Sequence, residues 1–175
     1  MSSLYLNKSR NHFVLEDQIT NRERFSVNSK LVDIVTSACS MIWDKNAGHA
    51  GIFIVGFVER IANHLDVPAA YLPDADFFLF ALTTMQEQSR LNRFDLFLLS
   101  AHEAYHKFQC FRGDKIFSST ENKSYPRCPF EKEAWIEAVD AFKAFYPSAS
   151  GRIKINMNED YFIEIPKTSS YHAYI

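Results

Sequence analysis

Cysteine is scarce in this chain and shows no pattern. Among 175 residues there are three cysteines, Cys39, Cys110 and Cys128, and no two of them form a CxxC pair. An odd number at unrelated spacings argues against a disulfide framework and fits a reducing compartment. The absence of a CxxC pair also argues against a thiolate zinc site, so other ligands are expected for any metal.

The sequence also lacks any run of basic residues, and its charges are balanced. It has 19 Lys and Arg residues against 21 Asp and Glu residues, so its electrostatics predict neither a nucleic-acid partner nor an anionic membrane surface. No apolar stretch reaches the length of a signal peptide or of a membrane span. We therefore expect a cytoplasmic protein that binds neither nucleic acid nor a membrane.

What the chain does contain is enough apolar sequence for one domain. Its hydrophobic content is 47% and its charged content is 23%, which is typical of a globular protein with its own core. We expect a single domain over residues 1–175, with the core at about 75–146. The segment 1–28 is polar and mixed, and no regular element is predicted for it.

Hydrophobic periodicity predicts helices and strands in the first half of the chain. A helix is expected over about 30–43, with Asn28 or Ser29 as its cap. A second helix is preferred over 52–65, although the first four residues of that segment also suit a strand. The short aromatic run at 76–82 favours a buried or half-buried strand.

The second half of the chain has clearer helix boundaries. One helix is expected between a cap at Asn92 and a stop at Gly113. Another begins at Pro129 and runs to about Tyr146, where a second proline follows. The alternating residues of 152–165 then predict a hairpin. The fold class predicted from these elements is α+β.

The most informative motif is the sequence HEAYH at residues 102–106. Two histidines four residues apart on a helix can bind one metal ion, while the glutamate between them acts on a bound water. His102 and His106 share a helix face with Leu98 and Leu99, so both imidazoles are expected to point into the interior. A metal satisfies two buried imidazoles. The alternative is a pair of core histidines that are hydrogen-bonded to main-chain carbonyls.

The helix after Pro129 offers a carboxylate for the same site. Glu131 lies at the centre of its apolar stripe, whereas Glu133 lies nearly opposite, on the side of the polar Asp140 and Lys143. An ionised carboxylate directed at a core needs a cation, and a metal held by two neutral imidazoles is one. The alternative is that Glu131 only sits in the first turn, where the helix dipole favours acids, with its head in water.

Together these residues resemble the gluzincin zinc metallopeptidases, especially their small minimal-domain members. The resemblance covers roughly residues 75 to 138 and rests on HEAYH at 102–106 followed by the EKEA sequence at 131–134. It implies a zincin-like fold with a small, mostly antiparallel sheet. In that fold an edge strand, here 77–82, packs on the HExxH helix, and a helix that carries a glutamate follows.

The resemblance also implies a role for each matching residue. His102 and His106 would bind Zn²⁺, Glu103 would be the general base, and Glu131 would be the third ligand. Many relatives have an acidic or amide residue four positions after that ligand, where this chain has Trp135. If Glu133 were the ligand instead, Glu137 would take that supporting position, so Glu133 remains the alternative third ligand.

The implied activity is hydrolysis of peptide bonds in a peptide or protein substrate by a zinc-activated water. The developing oxyanion needs a further donor. The candidates for it are Tyr105, Tyr125, Tyr161, Tyr171 and His172. Tyr105 lies away from the histidine face, so packing is its expected role. Cys110 lies on that face, and a small buried thiol is its expected state.

Two other functions compete with a peptidase. A di-iron carboxylate bundle uses Glu-x-x-His twice, but the sequence contains no second copy of that motif. The remaining alternative is a non-catalytic interaction or effector protein on a zincin-like scaffold, with a structural or vestigial zinc site. An open fourth coordination position in a cleft favours the enzyme, and a closed one favours this alternative.

Overall fold

The protein has an α+β fold in the computed structural model, which describes residues 3–6, 10–22, 24–114, 129–152, 154–156 and 162–164. The strands are β1 (Ser3–Leu6), β2 (His12–Asp17), β3 (Ile52–Val58), β4 (Ala69–Leu72), β5 (Phe77–Ala81), β6 (Lys154–Asn156) and β7 (Phe162–Glu164). The α-helices are α1 (Ser29–Asn46), α2 (Leu82–Glu87), α3 (Arg93–Phe111) and α4 (Pro129–Phe145). The predicted fold class, α+β, is confirmed.

The main sheet has five strands in the order β1-β2-β3-β5-β4. Strands β2, β3 and β5 run parallel to one another, while β1 and β4 pair antiparallel at the two edges. Helix α1 forms the connection from β2 to β3, because parallel neighbours need a crossover. The sheet is therefore mixed, and the prediction of a mostly antiparallel sheet is wrong.

Strand β3 lies where the sequence favours a helix over 52–65, so that prediction is wrong. The run is short and rich in β-branched and aromatic residues, and periodicity alone does not separate a buried strand from a buried helix. Phe53 and Phe57 are fully buried in the core. A Cβ on Gly56 would lie 2.7 Å from Cζ of Phe77 on β5, so glycine lets that ring pack against β3.

The segment 1–28 contributes two strands, although no regular element is predicted there. Strand β2 is internal to the sheet and buries Phe13 and Leu15 in the core. The core therefore extends well beyond the expected range 75–146 and includes side chains of β2, α1 and β3. The correction has a physical cause: β2 is stabilised by pairing with β3, which is distant in sequence.

Helix α1 begins at the predicted cap. The side chain of Asn28 accepts a hydrogen bond from the main-chain N–H of Leu31 at 3.0 Å, which satisfies one of the free donors of the first turn. Val35, Ala38 and Ile42 form a buried stripe along the helix. The stripe belongs to the same buried core as side chains of the sheet, and α1 packs directly against α3, the helix that carries HEAYH.

The strand beside α3 is β4, a four-residue element that the sequence analysis does not identify. The predicted strand at 76–82 exists as β5, but it lies between β3 and β4. The expectation that 77–82 is the edge strand is therefore wrong. Edge and internal positions depend on which strands pair, and the aromatic run of β5 suits a position buried by neighbours on both sides.

The ends of α3 agree with the sequence analysis. The Asn92 side chain accepts hydrogen bonds from the N–H groups of Phe94 and Asp95, both at 3.0 Å. Just beyond the last turn, Gly113 has a φ of +93°, which glycine adopts without a Cβ clash. These two residues fix the length of the helix, and therefore the position of its histidines.

We expect Asn92→Ala to lower the free energy of unfolding by about 1–2 kcal/mol, because the buried cap of α3 is lost. Urea denaturation of the metal-free protein measures the effect as a lower midpoint at constant slope. Asn46→Ala is the control, since Asn46 is the last residue of a different helix, α1, and its amide donates to Ile42 O of that same helix. Equal losses from both variants would contradict a capping role.

Strands β6 and β7 pair antiparallel, which confirms the hairpin predicted over 152–165. Residues 157–161 between the two strands lie outside the described residues. None of the described helices combines the length and the apolar character that a membrane crossing requires.

Candidate metal centre

Helix α3 brings two imidazoles to one point. His102 and His106 are both buried, and their Nε2 atoms lie 3.0 Å apart. The rings meet edge to face, with centroids 4.5 Å apart. This arrangement follows from the helix itself, because residues four apart lie one above the other on the same face.

Helix α4 adds a carboxylate to the pair. Oε2 of Glu131 lies 3.1 Å from Nε2 of His102, and Oε1 lies 3.2 Å from Nε2 of His106. One ligand atom from each residue can be chosen so that all three lie within 4.8 Å of one another. For tetrahedral zinc with bonds of about 2.0–2.1 Å, neighbouring ligand atoms lie roughly 3.3 Å apart. The three residues are therefore close to the spacing that such an ion needs.

The electrostatics of this cluster favour a bound cation. Burial opposes ionisation of Glu131, but the adjacent imidazoles of His102 and His106 hold its pKa well below its usual range. Burial likewise opposes a charge on His106, yet Glu131 and Glu103 raise its pKa to about 9. The carboxylates thus stabilise positive charge at this point, which a proton or a metal ion can supply.

One buried carboxylate oxygen supports a fit to a metal. Among the described residues, Oε2 of Glu131 has no hydrogen bond of regular geometry, although it lies 3.1 Å from Nε2 of His102. Buried polar atoms without partners are costly, and each one calls for an explanation. Metal coordination supplies a partner for the oxygen. With two imidazoles and one carboxylate, the donor set is one that zinc accepts.

Glu103 lies beside the cluster and is held by the edge strand. Its Oε2 accepts a hydrogen bond from the main-chain N–H of Tyr71 on β4 at 2.8 Å, and its Oε1 lies 4.0 Å from Nε2 of His102. The carboxylate is buried. One oxygen is thus fixed by the strand, while the other lies near the point where the metal ligands converge.

A cavity of about 820 Å³ opens onto the cluster. Strand β4 forms part of its wall, with Leu99 and Trp135 as apolar neighbours of the histidines and Asp66 and Arg90 as further charged residues. The ring of Trp135 lies 4.0 Å from that of His102, centroid to centroid, at 31°. At the position four residues after Glu131, this chain therefore supports His102 by ring packing rather than by a hydrogen bond.

Glu133, the alternative third ligand, points elsewhere. Its two oxygens accept from Nη1 and Nη2 of Arg112 at 3.0 and 2.6 Å, and Oε1 also accepts from the hydroxyl of Tyr105 at 3.0 Å. The Arg112 guanidinium holds the pKa of Glu133 below its usual range. Burial and Glu133 together raise the pKa of Tyr105 to about 12. Glu133 therefore belongs to an ion pair outside the cluster.

The described part of the structure places none of the candidate oxyanion donors at the site. Tyr105 is bonded to Glu133 and does not line the cavity, in keeping with the packing role expected for it. Tyr125, Tyr161, Tyr171 and His172 all lie outside the described residues. Cys110 is a free, partly buried thiol, and burial raises its pKa.

Gln109 is a site residue that the sequence analysis missed. It is fully buried, and its side-chain oxygen lies 2.8 Å from Nδ1 of His106. Its amide nitrogen donates to Phe130 O at 2.9 Å and to Oε2 of Glu133 at 3.0 Å. One signal was available: Gln109 lies three residues after His106, so it falls on the adjacent helix face.

Comparisons with protein-family models, with curated proteins and with solved structures find no match to this chain.

Proposed function

We propose that this protein is a zinc-dependent metallopeptidase-like hydrolase. In this proposal His102, His106 and Glu131 hold Zn²⁺, and Glu103 is the general base. The observation that carries it is the convergence of three potential ligands from two helices on one point at the wall of a cavity. The resemblance to gluzincins supports the same assignment from the sequence.

The donor set explains why zinc is the proposed metal. Three protein ligands leave a fourth position, and zinc in such a site supplies a water whose pKa is near 7. The cavity supports an open fourth position, since it borders all three ligands. A structural zinc site has four protein ligands. The described residues offer three in this group.

Glu103 is suited to move a proton. The Tyr71 N–H binds one oxygen of its carboxylate and so fixes the orientation of the group. The other oxygen remains available to accept a proton. In the proposed reaction it takes the proton of the attacking water and then delivers that proton to the leaving amine. Its neighbour His102, 4.0 Å from Oε1, places this exchange next to the proposed metal.

An extended peptide is the substrate shape that the cavity favours. Among the described strands, β4 pairs with β5 alone, and Ala69, Ala70 and Tyr71 line the cavity, where the Tyr71 N–H is bonded to Glu103. An unpaired strand edge presents main-chain N–H and C=O groups to which an extended chain can add as a further strand. A substrate bound in this way would pass beside the Glu103 carboxylate.

Zinc content and hydrolysis test the proposal directly. Protein purified without chelator is expected to hold one zinc per chain and to cleave members of a mixed peptide library. A chelator should abolish cleavage, and added zinc should restore it. Stoichiometric zinc without cleavage of any library member would overturn the enzymatic proposal and favour a non-catalytic interaction protein. Absence of zinc would overturn the metal site itself.

Zinc binding should also stabilise the fold. At free zinc 100-fold above its dissociation constant, we expect a gain of about 2.7 kcal/mol. For a chain of this size that corresponds to a rise in Tm of roughly 5–10 °C. Thermal melts with and without zinc measure it. The double variant His102→Ala with His106→Ala is the control and should show no zinc-dependent rise; an equal rise would mean that zinc binds elsewhere.

A further inference from the structure

We propose that Gln109 is a positioning residue that sets both the orientation of His106 and its distance from Glu131. This inference rests on the proposed metal site. A single buried amide lies between the two helices that carry the ligands, and it contacts a ligand on α3 and the main chain next to a ligand on α4.

The contacts of Gln109 determine which way its amide points. Its nitrogen has two protons, and there are two acceptors within reach, Phe130 O at 2.9 Å and Glu133 Oε2 at 3.0 Å. Neither acceptor can donate, so neither can face the amide oxygen. The oxygen must therefore face Nδ1 of His106, at 2.8 Å. The Gln109 amide is held in one orientation by all of its partners.

That orientation assigns the protons on His106. Because an amide oxygen only accepts, Nδ1 of His106 must carry a proton. In a neutral imidazole the other nitrogen, Nε2, is then the lone-pair atom. This is the nitrogen that faces Glu131 and His102. Gln109 thus selects the tautomer that can bind a metal at this point.

The same amide fixes the spacing between ligands on different helices. Phe130, whose carbonyl accepts from Gln109, directly precedes Glu131 at the start of α4. Glu133 provides a second attachment one turn further on, and Arg112 holds Glu133 through two hydrogen bonds. The start of α4 is thereby tied to the end of α3 on both sides of Glu131. Loss of the amide would release one imidazole and one carboxylate together.

The two histidines differ in whether their Nδ1 atom is hydrogen-bonded. His106 is hydrogen-bonded through Nδ1, whereas His102 Nδ1 has no hydrogen-bond partner among the described residues, and its ring packs on Trp135. Among the described residues, the side-chain hydrogen bond that orients a histidine ring for metal binding is therefore the one between Gln109 and His106. Outer partners of this kind change metal affinity by roughly 10–100-fold when removed.

Zinc affinity measured by chelator competition tests the inference. We expect Gln109→Met, which keeps the length of the side chain but removes its amide, to weaken zinc binding by roughly 10–100-fold. Gln88→Met is the matched control. The Gln88 side chain also donates to a main-chain carbonyl, that of Asp66, at the rim of the same cavity. This control should bind zinc within about twofold of the wild type.

A rescue experiment separates positioning from packing. Gln109→Glu keeps an acceptor for His106 but faces the carboxylate of Glu133, so zinc binding should weaken. Adding Glu133→Gln restores a donor opposite that acceptor, while the carbonyl of Phe130 still faces a carboxylate oxygen, and we expect the double variant to regain part of the lost affinity. In the metal-free wild type, recorded at a pH well above the His106 pKa of about 9 so that the imidazole is neutral, NMR of 15N-labelled histidine should show a protonated Nδ1 and an unprotonated Nε2 on His106. Gln109→Met should perturb this signal, and Gln88→Met should leave it unchanged.

These measurements also distinguish this inference from the proposed function. Unchanged zinc affinity and an unchanged His106 signal in Gln109→Met would overturn the positioning role even if peptide cleavage is observed. Weaker zinc binding that the double variant partly restores would support that role even if no peptide is cleaved.

Discussion

The variant Glu103→Gln is expected to retain one zinc per chain and to lose roughly 10²–10⁴-fold in kcat/KM for peptide cleavage. The substitution preserves shape, and its amide oxygen can still accept from the Tyr71 N–H that the carboxylate binds at 2.8 Å. It removes the capacity to take and return a proton, together with the negative charge that Glu103 places beside the cluster. Steady-state cleavage of a fluorogenic peptide and metal analysis of the same sample measure both parts.

Glu137→Gln serves as the matched control for Glu103→Gln. Glu137 lies on α4 and forms an ion pair with Lys45 at 2.7 Å, and it does not line the cavity. Its replacement should change kcat/KM by less than about twofold, because exposed ion pairs contribute little. If Glu103→Gln keeps both zinc and wild-type cleavage, Glu103 is not the base and another group must accept the proton.

The parts of the molecule that were predicted correctly depend on local sequence. Asn28 and Asn92 cap their helices through bonds to residues two or three positions away. The inward direction of His102 and His106 follows from the period of one helix. So does the difference between Glu131 and Glu133. In each case the information lies within one or two turns of a single element.

The parts that were missed depend on contacts between distant segments. Strand β4 is short and lies at a sheet edge because β5 takes the internal position beside β3. The parallel pairing of β2 with β3 likewise joins segments separated by α1. No pattern within either segment specifies such a partner, and register and order are set only when the sheet assembles. The mixed sheet was therefore not predictable from periodicity.

Gln109 shows the same difference, between information that is local in sequence and contacts that are not, within the site itself. Its proximity to His106 is a local property of α3, and the sequence contains it. Its contacts with Phe130 and Glu133 are not local, because they require α4 to pack against the end of α3. Helical periodicity therefore separated the two glutamates by direction, but it did not indicate that Glu133 takes part in the support of a histidine.

The neighbouring glutamates of α4 provide the sharpest test of the metal centre. Glu131→Gln should weaken zinc binding by more than the roughly 100-fold upper value for an outer partner, because it removes a charged ligand. Glu133→Gln should weaken it by roughly tenfold or less, since Glu133 acts only through Gln109. Both substitutions have the same size and charge change and lie within one turn, so effects on the helix are matched.

The order of these two effects identifies the third ligand. Chelator competition gives both dissociation constants, and urea denaturation of the metal-free variants reports any loss of stability separately. Breaking the buried contacts of Glu131 with the two histidines should cost at least as much stability as breaking the more exposed pair of Glu133 with Arg112, because removing one partner of a buried pair leaves the other uncompensated. A weaker zinc site in Glu133→Gln than in Glu131→Gln would reverse the assignment.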